Sequence, residues 1–203
     1  MPRAGFFAHL GMFVATEFLD TAACVSICAE MKQSPCASAR ILDGDNQLVV
    51  DIEKRRTEVA SVSAQTRAFV QARLMAVTPS LEKHFALKLT GCEPPSFLVY
   101  RPGFYYGRHV DANRNPEAPS GFRERKVSVS IFLNGEGRED EADTYAGGSL
   151  TFSGTRTDSS RDKYAGIALT GEKGLLIGFH SDWPHEVQPI RRGTRFSIVT
   201  WFG

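Results

Sequence analysis

The hydrophobic period of this chain switches at Pro94-Pro95, and that switch limits the possible folds more than any other feature. Before it, Phe69, Val70, Leu74, Val77, Leu81 and Phe85 recur at steps of one, three or four, the spacing of a helix from about Ala64 to Leu87. Pro79 falls inside that run, so the sequence predicts a kink or two shorter helices. After the switch, Val127, Val129, Ile131 and Leu133 alternate with other residues, the period of a half-buried strand within Lys126 to Asn134. Further strands are predicted at Phe97 to Tyr100, Tyr105 to Asp111, Ser149 to Phe152, Gly174 to Phe179, His185 to Pro189 and Thr194 to Phe202. Glycine and proline punctuate the joins. Many short strands in one block predict a sandwich or barrel, with the preceding helices covering one sheet.

Smaller elements precede the long helix. Gly11 to Ala15 reads as a short strand, and Asp20 or Thr21 can cap a helix running to about Met31. Arg40 to Ile41 and Gln47 to Asp51 read as strands around the turn Asp43-Gly44-Asp45-Asn46. Ala112 to Arg125, Gly135 to Gly147 and Gly154 to Ala165 read as long loops. The second is acidic through Glu136, Glu139, Asp140, Glu141 and Asp143. It reads as solvated surface, with a lid over a site mouth as the alternative.

The length of 203 residues suits one domain, and an apolar fraction of 42 % can fill a core. The 24 basic and 23 acidic side chains nearly cancel, which excludes a general attraction to nucleic acid or anionic membrane. No segment approaches the roughly 18 unbroken apolar residues of a membrane helix. The N-terminal Met1 to Phe7 faintly resembles a signal peptide, but His9, Glu17 and Asp20 interrupt it and no small-residue cleavage site follows. Cys24, Cys28, Cys36 and Cys92 match no zinc framework and read as small buried residues of a reducing compartment. The expectation is a soluble, cytoplasmic protein of open oligomeric state.

The chemistry concentrates in His109-Val110-Asp111 and His185. Residues two apart on a strand point to one face, so His109 and Asp111 can meet one metal ion. Two imidazoles and a carboxylate form the facial ligand set of mononuclear non-haem iron, which leaves three positions open. Zinc or copper would also suit these ligands. Of the remaining histidines, His9 and His84 read as structural or surface groups. His180 precedes the turn Ser181-Asp182-Trp183-Pro184 and reads as a loop residue, so His185 is the preferred third ligand. Arg195 opens the last strand ten residues later, and period two puts Ser197, Val199 and Trp201 on its face. Its guanidinium can grip the far carboxylate of a 2-oxo acid, with Ser197 adding a hydroxyl. The bland reading of Arg195 is an ion pair with a distant acid. Arg108, Arg123, Arg125 and Lys126 read as exposed, with an acidic partner as the alternative.

These segments resemble a known family. Tyr100-Arg101-Pro102-Gly103-Phe104-Tyr105-Tyr106-Gly107-Arg108-His109-Val110-Asp111 is similar to the iron-binding segment of prolyl 4-hydroxylase-like 2-oxoglutarate- and Fe(II)-dependent dioxygenases. Ile131-Phe132-Leu133-Asn134, Gly147-Gly148-Ser149-Leu150-Thr151-Phe152 and His185-Glu186-Val187-Gln188-Pro189 through Trp201 resemble its later strands. The resemblance implies a mainly β protein with flanking helices. Residues 1–94 would be a helical support region and residues 95–203 a double-stranded β-helix, or jelly roll. It implies Fe(II) on His109, Asp111 and His185, and 2-oxoglutarate held by Arg195, Tyr100 and Ser197. Tyr106 and Trp201 would lie behind the site. Phe132 departs from the family, whose tyrosine there donates to the cosubstrate. The implied reaction consumes O2 and 2-oxoglutarate, releases succinate and CO2, and hydroxylates an unactivated C–H bond, with ascorbate as reductant. The substrate would be a peptidyl proline, another protein side chain or a small molecule. A non-catalytic sensor and a redox-neutral cupin-type metalloenzyme are the competing readings.

Overall fold

Two helices begin where a side-chain oxygen caps them. In the computed structural model of the chain, which describes residues 7, 10–137, 143–153 and 166–203, Asp20 accepts from the Ala23 N–H at 2.8 Å ahead of α1 (Thr21–Gln33). Ser63 likewise accepts from the Thr66 N–H at 3.2 Å ahead of α2 (Ala64–Phe85). Pro79 does not divide α2, which runs through it as one helix. The carbonyl that the proline leaves unbonded belongs to Met75, an exposed residue, so water can satisfy it. The buried stripe of α2 is Val70, Leu74, Leu81 and Phe85, while Phe69 turns outward at 44 % exposure.

Residues 1–94 supply more than helices. Among the described residues they also form β1 (Phe13–Ala15), β2 (Cys36–Ser38), β3 (Ile41–Leu42), β4 (Leu48–Val49), β5 (Arg55–Arg56) and β6 (Glu58–Ala60). After Pro95 come β7 (Ser96–Tyr100), β8 (Tyr105–His109), α3 (Ser120–Glu124), β9 (Val127–Phe132), β10 (Ala146–Gly147) and β11 (Leu150–Ser153). The chain ends with β12 (Gly166–Leu169), β13 (Leu176–His180), β14 (His185–Val187), β15 (Ile190–Arg192) and β16 (Arg195–Phe202). The major sheet has the order β1-β13-β9-β16-β7-β6-β2, and the minor sheet β12-β11-β14-β8-β5. Every pairing in both is antiparallel. The arrangement is the expected double-stranded β-helix with flanking helices. β1, β2, β5 and β6 extend it from the N-terminal half, where runs this short carry no readable alternation.

Three expectations change in detail. β8 stops at His109, and Asp111 lies in a bend beyond it. His180 is the last residue of β13, paired with Val127, rather than a loop residue. The segment 112–125 contains α3. The expected loop at 154–165, together with His9 and the acidic residues Glu139, Asp140 and Glu141, lies outside the described residues.

Period two sorts the major sheet into two environments. Phe97, Val99, Val127, Val129, Ile131, Leu133, Phe196, Ile198 and Phe202 pack with α1 and α2 in one core. Leu98, Tyr100 and Phe132 join a second core with Leu150, Phe152, Val187 and Ile190 of the minor-sheet side. β9 is therefore buried on both faces along its whole length, rather than half-buried. Cys24 and Cys28, on the buried face of α1, are free thiols pushed up by burial to about 11 and about 12. No helix among the described residues is long and apolar enough to cross a membrane.

Leu74 is fully buried in the helix-facing core, whereas Val25 on α1 is half exposed. Leu74→Ala should lower unfolding free energy by about 2–5 kcal/mol, and Val25→Ala should change it by under about 0.5 kcal/mol. Urea titration of both variants checks the sidedness of the helices.

Candidate metal centre

His109 and His185 are direct cross-strand partners on β8 and β14, with ring centroids 4.3 Å apart. Side chains opposite one another in an antiparallel pair share a face, so the register alone brings the two imidazoles together. A backbone carbonyl two residues earlier fixes each ring. Nδ1 of His109 lies 2.8 Å from the Gly107 oxygen, and Nδ1 of His185 lies 2.8 Å from the Trp183 oxygen. A carbonyl can only accept, so both Nδ1 atoms carry a proton, and the neutral form of either ring presents its lone pair at Nε2.

Asp111 reaches the same point from the bend after β8. Its N–H donates to the Ser181 carbonyl at 2.9 Å, and the Ala112 N–H donates to the same oxygen at 3.0 Å. The Arg125 guanidinium holds its carbonyl at 3.2 Å. One carboxylate oxygen accepts from the Ser128 hydroxyl at 2.7 Å. The other lies 3.5 Å from His109 Nε2, and the Ser128-bonded oxygen lies 3.4 Å from His185 Nε2. The ligand atoms of the three residues all lie within 4.8 Å of one another, a spacing that could hold one metal ion.

The electrostatics suit a divalent cation. Burial lowers His185 to about 4, so its ring is neutral at ordinary pH. Burial disfavours the Asp111 charge, but His185, His109 and the Ser128 hydroxyl outweigh it and hold the carboxyl well below the usual range. A neutral imidazole at His185 and an ionised carboxylate at Asp111 are the protonation states that metal binding requires. Tyr106 stacks on His109 with centroids 3.5 Å apart and 14° between the rings. Burial pushes its hydroxyl up to about 12, which keeps it neutral.

The triad opens on a cavity of about 660 Å³, a volume typical of small-ligand sites. Arg195, Ser197, Val199 and Trp201 all line it, as period two on β16 predicts. Tyr100 lines it from β7, paired in register with Arg195. Arg195 is only 1 % exposed. Its Nη1 donates to the Gly148 carbonyl at 2.7 Å, and its guanidinium lies 4.8 Å from the Phe132 ring centroid and 5.3 Å from that of Tyr100. Among the described residues its Nε has no hydrogen-bond partner, nor does the buried Ser197 hydroxyl two residues on. Among the described residues no acidic group pairs with Arg195, so the ion-pair reading lacks its anion. Gly148 allows the carbonyl contact: it adopts φ +67°, and a Cβ there would stand 2.1 Å from Ile190 Cδ1.

The sequence reading overlooked Ser128 and Ser181, whose hydroxyls lie 3.0 Å apart behind Asp111. Alternation with valines makes Ser128 and Ser130 on β9 look outward-facing, so the residues carry no signal of this role. Arg125 was expected to be exposed, yet it is 7 % exposed. It forms a two-point ion pair with Glu93 at 2.6 and 2.8 Å and lies 3.7 Å from the Trp201 ring centroid. Trp201 thus lines the cavity and supports Arg125.

Ser128→Ala should weaken divalent-cation binding at the triad by about 10- to 100-fold, because the carboxylate loses the hydroxyl that orients it. Titration with Co(II), followed by its visible absorption, reads the loss, and an unchanged thermal melt of the metal-free protein shows that the fold persists.

The chain is similar to known proteins. The model of the 2OG-Fe(II) oxygenase superfamily matches residues 95–203. A PKHD-type hydroxylase of Sphingopyxis alaskensis is 34 % identical over 108 residues, 53 % of this chain and 43 % of that protein. One from Polaromonas sp. is 33 % identical over 123 residues, 57 % of this chain and 48 % of that protein. The chain thus spans less than half the length of these curated relatives. A Pseudomonas putida prolyl-4-hydroxylase structure superposes with a TM-score of 0.68 at 23 % identity, covering 95 % of this chain and 91 % of that one. A Trichoplax adhaerens prolyl hydroxylase, in complex with a hypoxia inducible factor oxygen degradation domain peptide fragment, gives 0.67 at 19 % identity, covering 95 % and 83 %.

Proposed function

The chain belongs to the 2OG-Fe(II) oxygenase superfamily, and from that premise we propose that it is an oxidoreductase that hydroxylates an unactivated C–H bond with Fe(II) and 2-oxoglutarate. One observation carries the reading. A His-Asp-His cluster and a buried arginine with no acidic partner among the described residues line the same cavity. The donor set fits Fe(II), and the orphaned Arg195 Nε and Ser197 hydroxyl fit a carboxylate that must lose its water.

His109, Asp111 and His185 would hold the metal through Nε2, a carboxylate oxygen and Nε2. With 2-oxoglutarate, that metal supplies O2 activation, and the overall change is 2-oxoglutarate, O2 and R–H to succinate, CO2 and R–OH. Arg195 would grip the far carboxylate of the cosubstrate and so set its direction in the cavity. Ser197 offers a hydroxyl beside it, and Tyr100 flanks the guanidinium. Phe132 offers no donor, which leaves this end to Arg195 and Ser197. Leu98, Leu150, Phe179 and Val187 give the cavity apolar walls that exclude water. No protein acid or base is needed for the hydrogen to leave the substrate carbon. Peptidyl proline is the favoured substrate, supported by the prolyl hydroxylases among the structural neighbours, one with a peptide bound.

An assay with Fe(II), 2-oxoglutarate, O2 and ascorbate should release succinate in step with hydroxylation of a proline-containing peptide. His109→Ala and Asp111→Ala should abolish turnover and keep the far-UV circular dichroism of the parent. Arg195→Ala should raise the 2-oxoglutarate concentration needed by about 30-fold or more, the effect of losing one partner of a buried charge pair. Wild-type turnover that survives either triad substitution overturns the ligand assignment. A metal-binding protein that never consumes 2-oxoglutarate would instead be a sensor.

A further inference from the structure

The cavity carries more positive charge than one cosubstrate can use. Besides Arg195, its lining includes Arg40, Lys54, Arg55, Arg108 and Arg125. Against them, among the described residues of the lining, stand two carboxylates, Asp111 and Glu53. Arg125 is matched by Glu93, and Lys54 lies 3.4 Å from Asp51. Arg40, Arg55 and Arg108 have no ion pair among the described residues.

Arg55 is the most constrained of the three. It lies on β5, the edge strand of the minor sheet, whereas Arg195 lies on the major sheet. Its guanidinium lies 4.5 Å from the ring centroid of Tyr106, and Tyr106 stacks at 3.5 Å on His109. Nη1 donates to the Arg40 carbonyl at 3.2 Å. Its Nε is buried and has no hydrogen-bond partner among the described residues. A guanidinium fixed by a ring and a carbonyl has lost most of its rotamer freedom before any ligand arrives, so it binds an anion at reduced entropic cost. Arg108, two residues past Tyr106 on the adjacent strand, is exposed and free to close on the same group.

We propose that the cavity mouth is a second anion site, in which Arg55, aided by Arg108, binds a carboxylate carried by the substrate itself. The inference rests on the proposed reaction only in identifying the occupant as substrate; the site is defined by residues the metal and cosubstrate do not use. The carboxylate could belong to an acidic side chain near the target residue of a peptide, or to a free small acid.

Isothermal titration on the wild-type protein, with Fe(II) under anaerobic conditions and both with and without 2-oxoglutarate, separates these cases. The probes are three acetylated, amidated pentapeptides that differ only at the two positions flanking a central proline, which are aspartate, glutamine or lysine. N-acetylproline and its amide form the small-molecule pair. The acidic peptide should bind at least about tenfold more tightly than the lysine peptide, as charge-assisted hydrogen bonds imply, and rising salt should shrink the ratio. Arg55→Gln and Arg108→Gln should each move that ratio toward one, the second at an exposed position where the fold is not at stake. A preference confined to N-acetylproline over its amide, lost in the same variants, assigns the carboxylate to a small acid. Equal binding of acidic and basic peptides with no preference in the small pair overturns the proposal, as does an acid preference that survives both substitutions. Failure of 2-oxoglutarate to bind the wild type would sink the proposed reaction, while the charge ratio without cosubstrate still decides the anion site.

Discussion

The architecture depends on strands that are buried on both faces yet carry different chemistry on each. β7, β9 and β16 lie in the middle of the major sheet, with helices against one face and the second sheet across the other. Because side chains alternate with period two, one set of positions must be apolar to meet α1 and α2. The other set is free to be functional. Phe196, Ile198 and Phe202 occupy the first set on β16, and Arg195, Ser197, Val199 and Trp201 the second. A one-residue slip in this strand would place Arg195 against the helices and Phe196 in the cavity. The apolar core therefore fixes the register that aims the guanidinium, and stability and function rest on the same constraint.

The minor sheet applies the same logic to the metal site with less margin. Cross-strand register sets His109 against His185, and carbonyls two residues earlier lock their tautomers. Asp111 is not placed by a sheet at all. Paired hydrogen bonds to Ser181, the Arg125 guanidinium and the Ser128 hydroxyl hold it. Those contacts draw on β9, on the turn after β13 and, through the Glu93 pair of Arg125, on the segment before β7. Asp111 follows a strand of the minor sheet and is thus held by groups drawn from the major sheet and its connecting segments.

Much of this was legible in the residues and some was not. The period switch at Pro94 identified the strand block, and the spacing of His109, Asp111, His185 and Arg195 identified the cavity-facing set. Strands β2, β5 and β6 escaped notice because two or three residues cannot display a period. Ser128 was invisible as a support for Asp111, since a serine alternating with valines on a strand looks like an outward-facing position. Here the second sheet makes that face an interior. Arg125 and Arg55 look like any surface arginine, and only the aromatic rings brought against them by tertiary packing set them apart. Asp111 was rightly grouped with His109 for an incomplete reason, because a bend rather than the pleat directs it.

The buried polar groups without partners among the described residues gather on one surface. Four buried side-chain polar atoms among the described residues lack hydrogen bonds, and three of them, on Arg55, Arg195 and Ser197, belong to the cavity lining. Buried donors without acceptors cost folding free energy, and natural structures hold few of them. A random scatter of packing faults would not collect on one surface, nor pair a guanidinium with a hydroxyl on the same face of one strand. The helix-facing core shows the contrast, since the buried thiols of Cys24 and Cys28 sit in apolar surroundings where their neutral forms need little else. Anions in the cavity would give three of those four polar atoms an acceptor. Ligand binding should therefore stabilise the folded state by supplying the acceptors that the chain itself leaves out.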